Sequence, residues 1–148
     1  MAGFTTYYAT QLVNNLFRTA PSTPGGWTNI TRPATIYVAL FTTAPTDAYT
    51  SGSPTGVECS GGSYARVAVT QADAQWSGMT GTPLAFDNTN AITFAQASAS
   101  WGDVLAFGIF DAVTTGNLLW WGTVSPTRTV SSGATASFAA GTLDLTLD

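Results

Sequence analysis

Trp101-Gly102-Asp103-Val104-Leu105-Ala106-Phe107-Gly108-Ile109-Phe110-Asp111 and its continuation Gly116-Asn117-Leu118-Leu119-Trp120-Trp121-Gly122 decide the fold. They read as two strands joined by a polar turn, with Thr114, Thr115, Gly116 and Asn117 supplying the turn chemistry. Side chains alternate along a strand, so Val104, Ala106, Gly108 and Phe110 are expected on one face. Leu105, Phe107 and Ile109 then take the other. In the second strand Leu118 and Trp120 oppose Leu119 and Trp121. Both faces are apolar, whereas a surface hairpin keeps one polar face, so this one is predicted to be covered on both sides. The second cover is either the same chain or another copy.

Working outward, Thr35 to Phe41 has the same two-sided character, Ile36, Val38 and Leu40 opposing Tyr37 and Phe41. Tyr64–Thr70, Leu84–Phe86, Ala91–Phe94, Thr127–Val130 and Thr135–Phe138 read as further short strands. Leu143, Leu145 and Leu147 alternate with polar residues in a final half-buried one. Thr42 to Gly62, rich in Thr, Ser, Gly and Pro, reads as a long exposed excursion. Phe4, Tyr8, Leu12 and Leu16 recur every four residues, which predicts an amphipathic helix over about 4–18, ended near Ala20-Pro21. Roughly eight short strands with frequent turns predict one domain over 1–148. It is mainly β, an antiparallel sandwich of jelly-roll type over about 34–148, led by that helix.

Composition narrows the function. The chain has 148 residues, 8% charged, against about 25% in a typical domain. It has no lysine; its cations are Arg18, Arg32, Arg66 and Arg128. Sheet edges are commonly blunted by lysine, so its absence suggests edges given to neighbouring subunits. A net charge of −4 argues against nucleic acid as partner, and no apolar run has the length of a membrane span. The expectation is a soluble, acidic protein with neither nucleic acid nor membrane as partner.

Catalysis has little to build on. Without histidine there is no Ser-His-Asp or Cys-His arrangement, and Cys59, the single cysteine, has no evident base. Asp103 and Asp111 bracket one strand, which separates them by over ~20 Å, beyond the roughly 5–9.5 Å used in glycoside hydrolysis. Asp111 is better read as a turn former. Asp87-Asn88-Thr89-Asn90 offers alternate oxygen ligands for calcium but lacks the glycine and distal glutamate of an EF-hand, and an Asx turn uses the same residues. Trp27, Trp76 and Trp101 lie near loops and are the candidates for stacking on sugars, with core packing as the competing use. The protein is therefore expected to have no enzymatic activity, no cofactor and no metal.

Tyr37-Val38-Ala39-Leu40-Phe41-Thr42-Thr43-Ala44-Pro45-Thr46-Asp47 resembles the opening strand and loop of a family of small tailed-bacteriophage virion proteins. The resemblance continues through Gly61-Gly62-Ser63-Tyr64-Ala65-Arg66, Ala91-Ile92-Thr93-Phe94 and Ala99-Ser100-Trp101-Gly102. Phe107 to Ala112, Gly116 to Leu119 and Ser137 to Leu143 complete it. Relatives usually carry lysine in the leading helix, and the Tyr49–Val57 stretch is longer here. Such proteins are often labelled tail fibre proteins, and they are similar in size and β character to capsid cement, or decoration, proteins. A fibre needs length from repeats or a coiled coil, which this chain lacks. The leading expectation is a capsid decoration protein on the outer surface of the virion, a homotrimer bound to the major capsid protein. Phe107, Ile109, Trp120 and Trp121 are the candidates for core or trimer contact, and Arg32, Arg66, Thr43 and Thr46 for capsid contact. The alternative is a tail fibre or tail-tip component whose loop aromatics bind a host-surface glycan.

Overall fold

A computed structural model of the chain describes residues 3–5, 7, 33, 35–70, 74–77 and 84–147. Its strands are β1 (Gly3–Phe4), β2 (Thr35–Thr43), β3 (Val57–Glu58), β4 (Val67–Thr70) and β5 (Leu84–Phe86). They continue with β6 (Ile92–Thr93), β7 (Gly102–Phe110), β8 (Leu118–Val130), β9 (Ser137–Phe138) and β10 (Leu145–Leu147). The main sheet is antiparallel and open, in the order β1-β8-β7-β2-β3, with β4 pairing β2 beside β3. Two short antiparallel ladders, β5 with β10 and β6 with β9, stand apart from it.

The mainly β, antiparallel expectation holds. A jelly roll of eight strands does not describe these ladders, one of six strands and two of two. The predicted helix start also needs correction: Phe4 is a strand residue opposite Trp120. Thr5 then anchors the chain, its hydroxyl donating to the Leu118 carbonyl at 2.6 Å. Tyr7 is helical, and residues 8–18 of the expected helix lie outside the described residues.

β2 is central because Val38, Ala39, Leu40 and Phe41 are all buried, a run with no solvent face. It is flanked by β7 on one side and by β3 and β4 on the other. On one face of the sheet Val38, Leu40, Phe107, Ile109 and Trp120 join a large core completed by Ile92, Phe94, Leu143 and Leu145 from the small ladders and their loops. On the other, Ala39, Phe41, Ala106, Phe110 and Leu118 form a smaller core closed by Tyr49. Both covers of the hairpin therefore come from the same chain.

Thr42 to Gly62 is mostly exposed, as expected, but Tyr49 anchors it to the sheet. Its ring is 7% exposed and meets Phe110 edge-on at 5.5 Å. Pro45 is buried with it, and Cys59 enters the large core. The polar residues around them stay outside, so the segment is a lid with an apolar underside.

The faces of the hairpin also differ from strict alternation. Irregularities between Val104 and Ala106, and between Ile109 and Phe110, break the ladder. The first turns Val104 to the large core with Phe107 and Ile109, while Leu105 is left 40% exposed. The second inserts Leu119 opposite the Ile109–Phe110 step. Leu119 and Trp120 then share the large core, with Leu118 and Trp121 on the other face. The first sets Val124 to Thr127 of β8 against Leu105 alone and the second adds the single residue Leu119, and an odd excess changes every side downstream. Thr127–Val130, expected as a separate strand, is the far end of β8.

Candidate functional site

At the turn end of the hairpin, Asp111 accepts the Asn117 backbone N–H at 2.7 Å and its side-chain amide at 2.8 Å. The turn closes through Thr115 and Gly116, both at positive φ. Arg66 reaches this turn from the segment before β4. Its Nη1 donates to the carbonyls of Ala112 at 2.9 Å and Thr115 at 2.8 Å. Its Nε and Nη2 donate to the two carboxylate oxygens of Glu58. The guanidinium carbon stands 3.5 Å from the centre of the Phe110 ring, and the side chain is 6% exposed. Four donors and the cationic face are thus engaged inside the chain. Arg66, expected to touch a capsid, is the clamp that joins β3, the hairpin turn and the small core.

The remaining predicted contacts divide by burial. Phe107, Ile109 and Trp120 lie in the large core. Trp121 is half-buried over the small core and donates through Nε1 to Asp47 at 2.7 Å, which fastens the lid to the sheet. Thr46 is exposed and its N–H donates to Thr55 Oγ1 at 2.9 Å, closing the base of the lid. Thr43 is exposed at the end of β2, opposite Val57. Arg32 and Trp27 lie outside the described residues.

Two of the loop aromatics proposed for sugar stacking, Trp101 and Trp76, pack against the large core. Trp101 is 4% exposed and donates to the Gly62 carbonyl at 2.9 Å. Trp76 is half-buried and meets Phe86 edge-on at 5.8 Å. Trp101 offers no free face for stacking, and packing into the large core is its use.

Asn88 decides the Asp87–Asn90 turn. It is fully buried; Nδ2 donates to the carbonyls of Asn90 at 2.9 Å and Ala139 at 2.8 Å, and Oδ1 accepts the N–H of Thr142 and Leu143. The side chain ties this turn to the chain entering β10. Cys59 is buried, and burial beside Glu58 pushes its thiol up to about 11. Burial likewise raises Tyr64, whose hydroxyl donates to Glu58 at 3.0 Å. Glu58 and Asp47 have no signal in the sequence; their partners Arg66 and Trp121 lie 8 and 74 residues away. Asn88 stands in the turn read from sequence, but its ties to Ala139, Thr142 and Leu143 span 51 to 55 residues.

Hydrogen-bonded fastenings between loops and a doubly covered sheet define a braced β module, structural in build. The chain belongs to the family described as podophage GP4 fiber I protein gp80, whose family model matches residues 3–146. It is thus a member of a phage fibre and virion structural family. No curated protein matches it.

Proposed function

We propose that the protein is a component of the phage tail fibre assembly, acting by binding rather than by catalysis and as a homo-oligomer. The observation that carries this reading is the match over residues 3–146 to a family described as a fibre protein. Capsid decoration, with the major capsid protein as partner, is the expectation from the two-sided apolar hairpin, the absent lysines and the Thr-, Ser- and Gly-rich loops. The family description favours the tail instead, and the two main cores need no second copy to cover them.

The braced build supports the reading, since a module that transmits load benefits from loops tied to its sheet. Val57 and Val113 are 55% and 53% exposed. They neighbour Glu58 and Ala112, the two segments that Arg66 joins. That end of the sheet is the contact assigned here to a second copy. Copy number in purified particles tests the assignment: a handful per particle fits a fibre, and hundreds would return the protein to the capsid.

A further inference from the structure

At the opposite end of the hairpin from the Arg66 clamp, a cleft of about 310 Å3 opens into the edge of the large core. Val104, Val124 and Phe138 supply apolar wall, Thr135 and Ser137 supply hydroxyls, and Arg128 stands among them. The volume is at the lower end of ligand pockets, which run from about 300 Å3 upward. Phe138 is braced edge-on against Phe107 at 5.7 Å, so this wall is firm.

Arg128 differs from Arg66 in every respect that matters to binding. It is exposed, and it has no ion pair or hydrogen bond among the described residues. It pairs across the ladder with Val104, which directs it to the cleft face of the sheet. The nearest acidic residue in register, Asp103, pairs with Thr129 and accepts its hydroxyl. Asp103 does not line the cleft. A guanidinium without an ion pair among the described residues, standing at an apolar cleft, is matched by a monoanion that carries its own apolar face.

We propose that this cleft binds a carboxylated sugar unit, a uronic acid of a surface polysaccharide. The carboxylate takes the planar fork of Arg128 in a bidentate contact. The C–H face of the ring lies on Val104, Val124 and Phe138, and ring hydroxyls meet Thr135 and Ser137. A single cation suits one carboxylate better than a phosphate dianion. The proposal rests on the fibre reading for its biological sense, since a fibre meets the host surface, but the cleft can be tested apart from it.

Amide NMR of the full chain titrated with glucuronate, glucose and inorganic phosphate gives the test. Glucuronate is expected to shift signals within residues 124–138, and glucose and phosphate to leave them in place. Arg128→Gln is expected to weaken glucuronate at least about tenfold, as the loss of a charge-assisted contact implies. Ser137→Ala, expected to weaken it less, guards against a fold effect at Arg128. Absence of glucuronate shifts, or equal binding of glucose, phosphate or the Arg128→Gln protein, overturns the proposal. Each of those failures leaves the location of the protein on the particle unaffected.

Discussion

Arg66 holds Glu58 through two parallel hydrogen bonds, Nε to Oε1 at 2.9 Å and Nη2 to Oε2 at 2.7 Å. Its remaining nitrogen reaches the hairpin turn, so one side chain fixes three segments. Arg66→Met is expected to cost about 3 kcal/mol, the low end for breaking a buried pair, because Glu58 keeps 26% of its exposure. Urea unfolding reads this directly. Arg66→Lys keeps the charge and loses the fork, and should recover less than half of the loss.

Asn88 is expected to tolerate no near relative. Asn88→Asp keeps the acceptor but places a carboxylate against the carbonyls of Asn90 and Ala139. Asn88→Ala leaves those carbonyls and two N–H groups without their partner. Each is expected to cost about 2–3 kcal/mol, the range for unsatisfied buried groups, and adding calcium should restore neither. Thermal unfolding with and without calcium checks both statements.

Gly108 makes the small core dense. A Cβ there would lie 2.7 Å from Leu118 Cδ1 and 2.9 Å from Phe41 Cε2. Gly108→Ala is expected to cost about 1–3 kcal/mol through overpacking, and Gly108→Val more. A paired Gly108→Ala, Leu118→Val protein should recover part of the loss if the clash is the cause.

Cys59 gives a pH dependence with a definite sign. Its thiol ionises at about 11 in the folded chain against 9.0 ordinarily, with burial as the first cause and Glu58 the second. The unfolded chain therefore loses this proton first as pH rises. The contribution is fully present below pH 9 and is lost as pH climbs towards 11. Stability should fall over that window and fall less in Cys59→Ala relative to its own neutral-pH value. Tyr49 and Tyr64, also raised by burial, act in the same direction at higher pH. Thiol labelling at pH 8 should be slow until urea unfolds the protein.

The central hairpin and β2 were legible because their residues are apolar on both faces, and no other placement suits them. The faces of β2 and of Ala106 to Phe110 follow the alternation read from sequence, whereas those of Val104 and of Leu118 to Trp121 do not. The bulges at Leu105 and Leu119 obey pairing across the sheet, not local alternation. The anchoring of the lid over the small core was not legible because it rests on Tyr49 and Pro45 within a Thr- and Gly-rich stretch. Missing lysine suggested edges covered by neighbours. The described structure offers another answer, since β8 carries Pro126 and a ladder irregularity where its outer edge is unpaired among the described residues. Arg66 looked like a surface contact because nothing near it in sequence announces a clamp across 46 residues to Ala112.

The location of the protein on the particle tests the fibre reading most directly. Gold-labelled antibody raised against the folded chain, imaged on intact virions, should decorate the tail and leave the head bare. Label spread over the head surface, with none at the tail, would contradict it.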